Sequence, residues 1–112
     1  MKDNFPDLSI VVPIYNEEEN VDDLIAAVTA AMQGYTDSYE LVLIDDGSTD
    51  QSFSILKRHA LSNPRIRVIR FGINYGQTAA IAAGFHNARG RILVTMDADL
   101  QNDPTDIPML IE

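Results

Sequence analysis

Four short apolar runs alternate with helical patterns along this chain, and this alternation limits the fold more than any other feature. The runs occupy residues 9–14, 40–44, 66–71 and 92–96. Each is short and β-rich, whereas apolar residues recur at helical spacing between them. Strands that alternate with helices imply a parallel sheet with right-handed crossovers. We therefore predict an α/β fold of three layers, with a Rossmann-like parallel sheet of about four strands. We further predict the spatial order 3-2-1-4.

The helix boundaries are predicted from capping residues. Asn16 and Glu19 have the spacing of a capping box and mark the start of the first helix, which Gly34 is predicted to end. Residues 48–50 are predicted to open the second helix. The third, over residues 77–88, is dense in small side chains that allow close packing against the sheet.

The chain length suits one domain with a substantial core. Asp103 and Pro104 are predicted to cap a last helix, whose pattern runs to Glu112 without a terminal cap. We therefore expect residues 1–112 to be the N-terminal part of a longer protein, and to form one unit without repeats or linkers.

Composition excludes several classes of protein. With no cysteine, the chain has no disulfide framework, zinc–thiolate site or thiol chemistry. It has neither a run of ~18 apolar residues nor an apolar signal core, so a cytoplasmic location is expected. A net charge of −9 argues against nucleic acid and against a polybasic membrane patch. Some of the acidic side chains, including Asp37 and Glu40, are expected to lie at the surface in contact with solvent.

Asp97 and Asp99 follow the fourth apolar run and are the strongest candidate site. If the strand continues through them, they face one target, because alternate residues of a strand point to the same side. Two carboxylates repel by ~4 kcal/mol at a separation of about 4 Å and an effective dielectric of about 20, which favours a cation between them. Carboxylates suit Mg²⁺ or Mn²⁺, usually shared with substrate phosphates. Gln101 continues the alternation as a further oxygen ligand.

A second acidic pair, Asp45 and Asp46, follows the second strand, and Tyr15 and Glu17 follow the first. The carboxyl ends of parallel strands form the edge where ligands bind in open α/β sheets. We therefore expect a crevice that opens at Glu17, Asp45 and Asp97. One carboxylate of the second pair could accept from a nucleobase N–H and the other from a ribose hydroxyl.

Together these motifs resemble the inverting family 2 glycosyltransferases of GT-A fold. The resemblance is greatest to the polyprenyl-phosphate branch, which includes dolichol-phosphate mannosyltransferase and the undecaprenyl-phosphate sugar transferases. The matching stretches are residues 12–17, 45–50, 74–77, 79–84 and 97–101, in order and over nearly the whole chain.

The resemblance implies a donor site for a nucleoside-diphosphate sugar carrying UDP or GDP. The residues it implies around the nucleotide are Pro13, Tyr15, Glu17, Asp45, Asp46, Asp97 and Ala98. It makes Asp97 and Asp99 the catalytic pair that binds Mg²⁺ or Mn²⁺ and the pyrophosphate, with Gln101 as a further metal ligand.

The resemblance also implies transfer with inversion to a polyprenyl phosphate, in cell-envelope biogenesis. The enzyme would work at the cytoplasmic face of a membrane, associated through its missing C-terminal part. The 112 residues alone would bind the donor without turnover.

Two other classes share parts of the pattern. A haloacid-dehalogenase-type phosphatase also places two aspartates, two residues apart, after an apolar strand. That motif normally lies near the N-terminus and continues to Thr or Val where this chain has Gln101. A receiver-type signalling domain matches the length and acidity but needs a lysine near the end of its last strand, whereas the chain has only Lys2 and Lys57.

Overall fold

The computed structural model describes residues 5–99, over which strands and helices alternate as the sequence predicts. The elements are β1 Leu8–Ile14, α1 Val21–Gln33, β2 Tyr39–Asp45, α2 Ser52–Ser62, β3 Ile66–Arg70, α3 Gln77–Asn87 and β4 Ile92–Thr95. Gln101 and the helix predicted after Pro104 lie outside the described residues.

The four strands form one parallel sheet in the order β3-β2-β1-β4, which confirms the predicted topology. Ile14 pairs with Asp45, and Asp45 pairs with Arg70, so β1, β2 and β3 end together. Strand order reverses beside β1, where the chain crosses to β4. A crevice at the carboxyl ends of the strands is expected at such a reversal.

Helices cover both faces of the sheet and give the predicted three layers. One face carries the larger core, where β1 residues such as Ile10 and Val12 lie in one cluster with buried residues of α1 and α2. On the other face, α3 packs close to the sheet: a Cβ on Gly84 would collide with Val11 and with the Cδ1 atom of Ile44. Period-two alternation along the central strands explains this division.

The predicted start of α1 is wrong by four residues, because the N-cap is Asn20 and not Asn16. The helix begins at Val21, and Asn16 takes the left-handed backbone conformation with φ of 52°. Its side-chain oxygen accepts hydrogen bonds from the N–H groups of Thr49 and Asp50 rather than capping α1. Asparagine tolerates this conformation better than most residues, and the contact between loops prevails over the local capping pattern.

The apolar composition of the fourth run indicates a buried strand, but β4 is mostly exposed. It ends at Thr95, and of its four residues only Val94 is buried. β4 lies at the edge of the sheet formed by residues 5–99, which leaves Ile92 and Leu93 exposed.

Glu40 was expected to solvate the surface, but it is buried, with 5% of its surface exposed. Its carboxylate accepts hydrogen bonds from Ser9 Oγ at 2.6 Å, the Arg89 N–H at 2.6 Å and Arg67 Nη1 at 2.9 Å. Burial alone raises the pKa of Glu40, but these three donors outweigh it and hold the pKa below the ordinary value of 4.5. The group ties β1, β2 and β3 to the turn that precedes β4.

Candidate functional site

A cavity of about 370 Å³ opens at the carboxyl ends of the strands. Four carboxylates line it, contributed by the ends of β1, β2 and β4. The lining residues are Pro13, Ile14, Tyr15, Glu17, Asp46, Asn74, Gly76, Gln77, Asp97, Ala98 and Asp99. The structure therefore brings together every predicted site residue among those described except Asp45, which does not line the cavity.

Asp97 and Asp99 lie beyond the end of β4, with Asp99 in a turn. Their proximity was predicted from strand alternation, and that reason is wrong because β4 ends at Thr95. Ala98 between them is buried in the core on the α1 and α2 face, which leaves both carboxylates at the cavity.

Asp46 fastens the β3–α3 loop to the end of β2. Its Oδ1 accepts from the Tyr75 N–H at 2.7 Å, and its Oδ2 accepts from the Gly76 N–H and from Asn74 Nδ2, both at 2.9 Å. The Asp46 N–H in turn donates to the Ile14 carbonyl at 2.8 Å. Asp46 therefore lines the cavity with its carboxylate already bound to the protein's own donors.

Gly47 allows the β3–α3 loop to pack closely against the end of β2. Its φ of +71° lies in the left-handed region, and a Cβ there would collide with the backbone of Ile73 and Asn74. The glycine of the Asp46-Gly47 pair is thus required by the fold at this point.

Asp45 lies on the opposite face of the sheet and is fully buried. Its Oδ1 accepts from the Ser48 N–H at 3.3 Å, whereas Oδ2 has no hydrogen-bond partner among the described residues. The nearest cation is the guanidinium of Arg70, with Nε 3.9 Å from Oδ2. Arg70 lies over the ring of Phe53, 4.0 Å from its centroid, and its side chain is 58% exposed. A buried acceptor without a partner is rare enough to need an explanation.

The loops after β1 and β2 hold each other in place. Besides the contacts of Asn16, the Glu17 N–H donates to Ser52 Oγ at 2.9 Å, and the Glu18 N–H donates to Asp50 Oδ2 at 3.2 Å. Burial raises the pKa of Asp50, but hydrogen bonds from Ser52 and Glu18 outweigh it, and its pKa lies below the ordinary 3.8. Residues 48–50 were predicted to open α2, but they form hydrogen bonds to the loop after β1, and α2 begins at Ser52.

Pro13, Tyr15 and Glu17 lie on one side of the cavity. Pro13 has no N–H to donate, and it is tolerated in central strand β1 because pairing with β4 stops at Val11. Tyr15 is 46% exposed, and the Glu17 carboxylate accepts from Asn20 Nδ2 at 2.7 Å.

The donor set at the cavity fits a hard divalent cation. In residues 5–99 no cluster of three or more His, Asp or Glu side chains forms a ready metal site. Mg²⁺ is usually bound by one or two carboxylates together with substrate phosphates rather than by a cage of protein ligands. Asp97 and Asp99 at an open cavity supply that arrangement.

Two contacts at the site were not predicted: the hydrogen bond from Gln77 to Asp97 and the hydrogen bonds from Asn74 to Asp46. Both donor residues lie within the stretch at residues 74–77 that carried part of the resemblance, and this was the available signal. The burial of Glu40 had no such signal, because an isolated acid at the start of a strand gives no indication of its donors.

The family comparison agrees with this geometry. Residues 9–112 match the model of glycosyl transferase family 2, and the chain belongs to that family. The match gives no support to the phosphatase or the receiver domain.

Similar curated proteins act on polyprenyl phosphates, as their names state. The chain is 47% identical over 106 residues to the dodecaprenyl-phosphate galacturonate synthase of Rhizobium johnstonii, covering 94% of this chain and 31% of that protein. It is 45% identical over 107 residues to the undecaprenyl-phosphate 4-deoxy-4-formamido-L-arabinose transferase of Edwardsiella ictaluri, covering 94% and 33%. The chain thus spans about a third of the length of these relatives.

Solved glycosyltransferases share the fold. A mannosyltransferase of Pyrobaculum calidifontis, in complex with GDP-Man and Mn²⁺, has a TM-score of 0.77 and 26% identity, covering 91% of this chain and 30% of that one. TarS of S. aureus in complex with UDP has a TM-score of 0.71 and 26% identity, covering 82% and 27%. The fold is therefore GT-A, and a divalent metal is used with it. Within residues 5–99, no helix has the length and apolar content needed to cross a bilayer.

Proposed function

We propose that the protein containing this chain transfers a sugar, with inversion, from a nucleoside-diphosphate sugar to a polyprenyl phosphate. Residues 1–112 form the nucleotide-sugar-binding part of its catalytic domain and bind the donor without turnover on their own. The observation that carries this proposal is the cavity where Glu17, Asp97 and Asp99 meet at the switch in strand order. The names of the similar curated proteins support the acceptor.

Asp97 and Asp99 are the catalytic pair in this proposal and hold Mg²⁺ or Mn²⁺, with Gln101 as a further ligand. A divalent cation bound there would neutralise the charge that develops on the diphosphate of the departing nucleoside diphosphate. Ala98 lies against the nucleotide. The acceptor phosphate is already anionic, so attack on the opposite face of the anomeric carbon needs no strong base.

Pro13, Tyr15, Glu17 and Asp46 line the nucleotide side of the site, and Asp45 accepts an N–H of the base. The buried Oδ2 of Asp45 without a hydrogen-bond partner supports that role. Because the Asp45 side chain is fully buried, the base reaches it only if a neighbour moves. Arg70, which is mostly exposed and lies beside Asp45, is the group we expect to move.

The enzyme works at the cytoplasmic face of a membrane, and the polyprenyl phosphates in the names of the similar proteins support a site beside a membrane. Its donor nucleotide is UDP or GDP, as in the complexes of the structural neighbours.

The test is a transfer assay with the full-length protein, undecaprenyl phosphate and a panel of labelled UDP-sugars and GDP-sugars. We expect one sugar to appear in the lipid fraction in the presence of Mg²⁺ or Mn²⁺, with its anomeric configuration inverted. Release of free sugar from every donor, with no lipid product, would contradict the proposed acceptor.

A further inference from the structure

Gln77 connects α3 to the acidic pair after β4. It is the first residue of α3, and its Nε2 donates a hydrogen bond to Oδ1 of Asp97 at 3.4 Å. The bond is long for an amide donor, but hydrogen bonds of this kind in ligand-free sites often shorten when substrate binds. Both side chains line the cavity.

The position of Gln77 is fixed from β2. Asp46 binds the N–H groups of Tyr75 and Gly76, which immediately precede Gln77 in the chain. The close approach at Gly47 holds the same loop against the sheet. The amide of Gln77 is therefore presented from a fastened backbone and not from a free loop end.

We propose that Gln77 is a positioning residue that holds one oxygen of the Asp97 carboxylate, leaving the other for a divalent cation, and that Asp46 anchors the loop that presents it. The inference rests on the proposed function, because it concerns the cation that the donor would bring. Asp97 is a partly exposed side chain beside a second carboxylate, so without a partner it would sample several rotamers.

A neutral amide suits this task. It donates to the ionised carboxylate, but it brings no positive charge that would compete with the cation, as a lysine would. It also leaves the carboxylate its negative charge, on which cation binding depends.

The test uses two variants of the full-length protein, Gln77→Met and Gln77→Ala, with Thr78→Ala as the matched control on the next, exposed residue of α3. Methionine keeps the length and apolar stem of glutamine but has no N–H donor. Free Mn²⁺ is measured by electron paramagnetic resonance during titration with UDP or GDP present. Calorimetry with the nucleotide in EDTA, and thermal unfolding, are measured in parallel.

We expect Gln77→Met and Gln77→Ala to weaken Mn²⁺ binding about threefold to tenfold, the range for loss of one ordinary hydrogen bond, because the bond is long and exposed. Nucleotide binding in EDTA and the melting temperature should match those of Thr78→Ala. Equal losses in the two variants would assign the effect to the amide donor.

Three results would overturn the inference. Wild-type Mn²⁺ affinity in Gln77→Met, with loss only in Gln77→Ala, would make side-chain volume the cause. A lower melting temperature with weaker binding in EDTA would show a merely structural role. If wild-type binding depends on the cation and neither variant alters it, only the role of Gln77 is refuted. If wild-type binding does not depend on the cation, the metal in the proposed function is refuted as well.

Discussion

Asp45 and Asp46 are neighbours in sequence, yet their carboxylates lie on opposite faces of the sheet. Asp46 faces the β3–α3 loop and is bound by its donors, whereas Asp45 is buried on the α1 and α2 face with one oxygen unpartnered. Asp45 is the last residue of β2, and pairing with β1 continues to the Asp46 N–H, so the two side chains still alternate. One acid thus holds the site together, and the other is left with capacity to accept.

The first prediction follows from this difference. Asp46→Asn should lower the free energy of unfolding by about 1.5–3 kcal/mol, because an amide NH₂ would replace an oxygen that faces N–H donors. Asp45→Asn should be neutral or stabilising, because it removes a buried charge that has few partners. Urea denaturation of both variants measures the difference. Equal losses would contradict the separate roles given to the two acids.

Gly47→Ala is predicted to destabilise the protein by about 2–4 kcal/mol, through backbone overlap with the β3–α3 loop and an unfavourable positive φ. Gly34→Ala is the matched control, since a Cβ at that position meets no atom within 4 Å and its φ is −93°. The control should change stability by less than about 1 kcal/mol. Thermal unfolding of the two variants compares them, and a neutral Gly47→Ala would refute the close approach.

Glu40 gives a prediction for pH. Its pKa is lowered on folding, so its contribution to stability is fully present above the unfolded value near 4.5 and is lost as the pH falls through the lower folded value. Glu40→Gln should therefore be less stable than wild type at neutral pH, by about 1.5–3 kcal/mol for the charged hydrogen bonds lost. The difference should shrink only below about pH 4.5.

Denaturation of wild type and Glu40→Gln across this range, with exposed Asp37→Asn as control, provides the measurement. A difference that did not change down to the lowest pH at which the protein folds would show that the Glu40 charge does not stabilise the fold.

The sequence was sufficient for the fold because its signals are local and repeated. Short β-rich runs, helical spacing and the turn residues between them gave the order of elements, and the alternation of strands with helices implied a parallel sheet. The cavity also followed, because carboxyl ends of parallel strands meet at one edge.

The errors concern contacts between segments distant in sequence. Asn16 was assigned to the nearest helix because its partners Thr49 and Asp50 lie 33 and 34 positions away. Glu40 was placed at the surface because its three donors come from β1, β3 and the turn before β4. Local patterns contain no information on such partners, so packing decides these positions.

In the proposed function, Asp97 and Asp99 bind a nucleoside diphosphate through a divalent cation. The Asp99→Asn variant of the full-length protein tests this role. Asp37→Asn is the control, because it makes the same charge change just before β2, at the amino ends of the strands. In transfer assays Asp99→Asn should lose about a thousandfold in rate, the equivalent of several kcal/mol of lost metal stabilisation.

The most direct measurement is calorimetric titration of wild type, Asp99→Asn and Asp37→Asn with UDP and GDP, in Mn²⁺ and in EDTA. We expect Mn²⁺ to tighten binding of one nucleotide to wild type and to Asp37→Asn, and Asp99→Asn to bind this nucleotide equally weakly in both conditions. Wild-type affinity that EDTA leaves unchanged, or an Asp99→Asn variant that keeps the full response to Mn²⁺, would contradict this role.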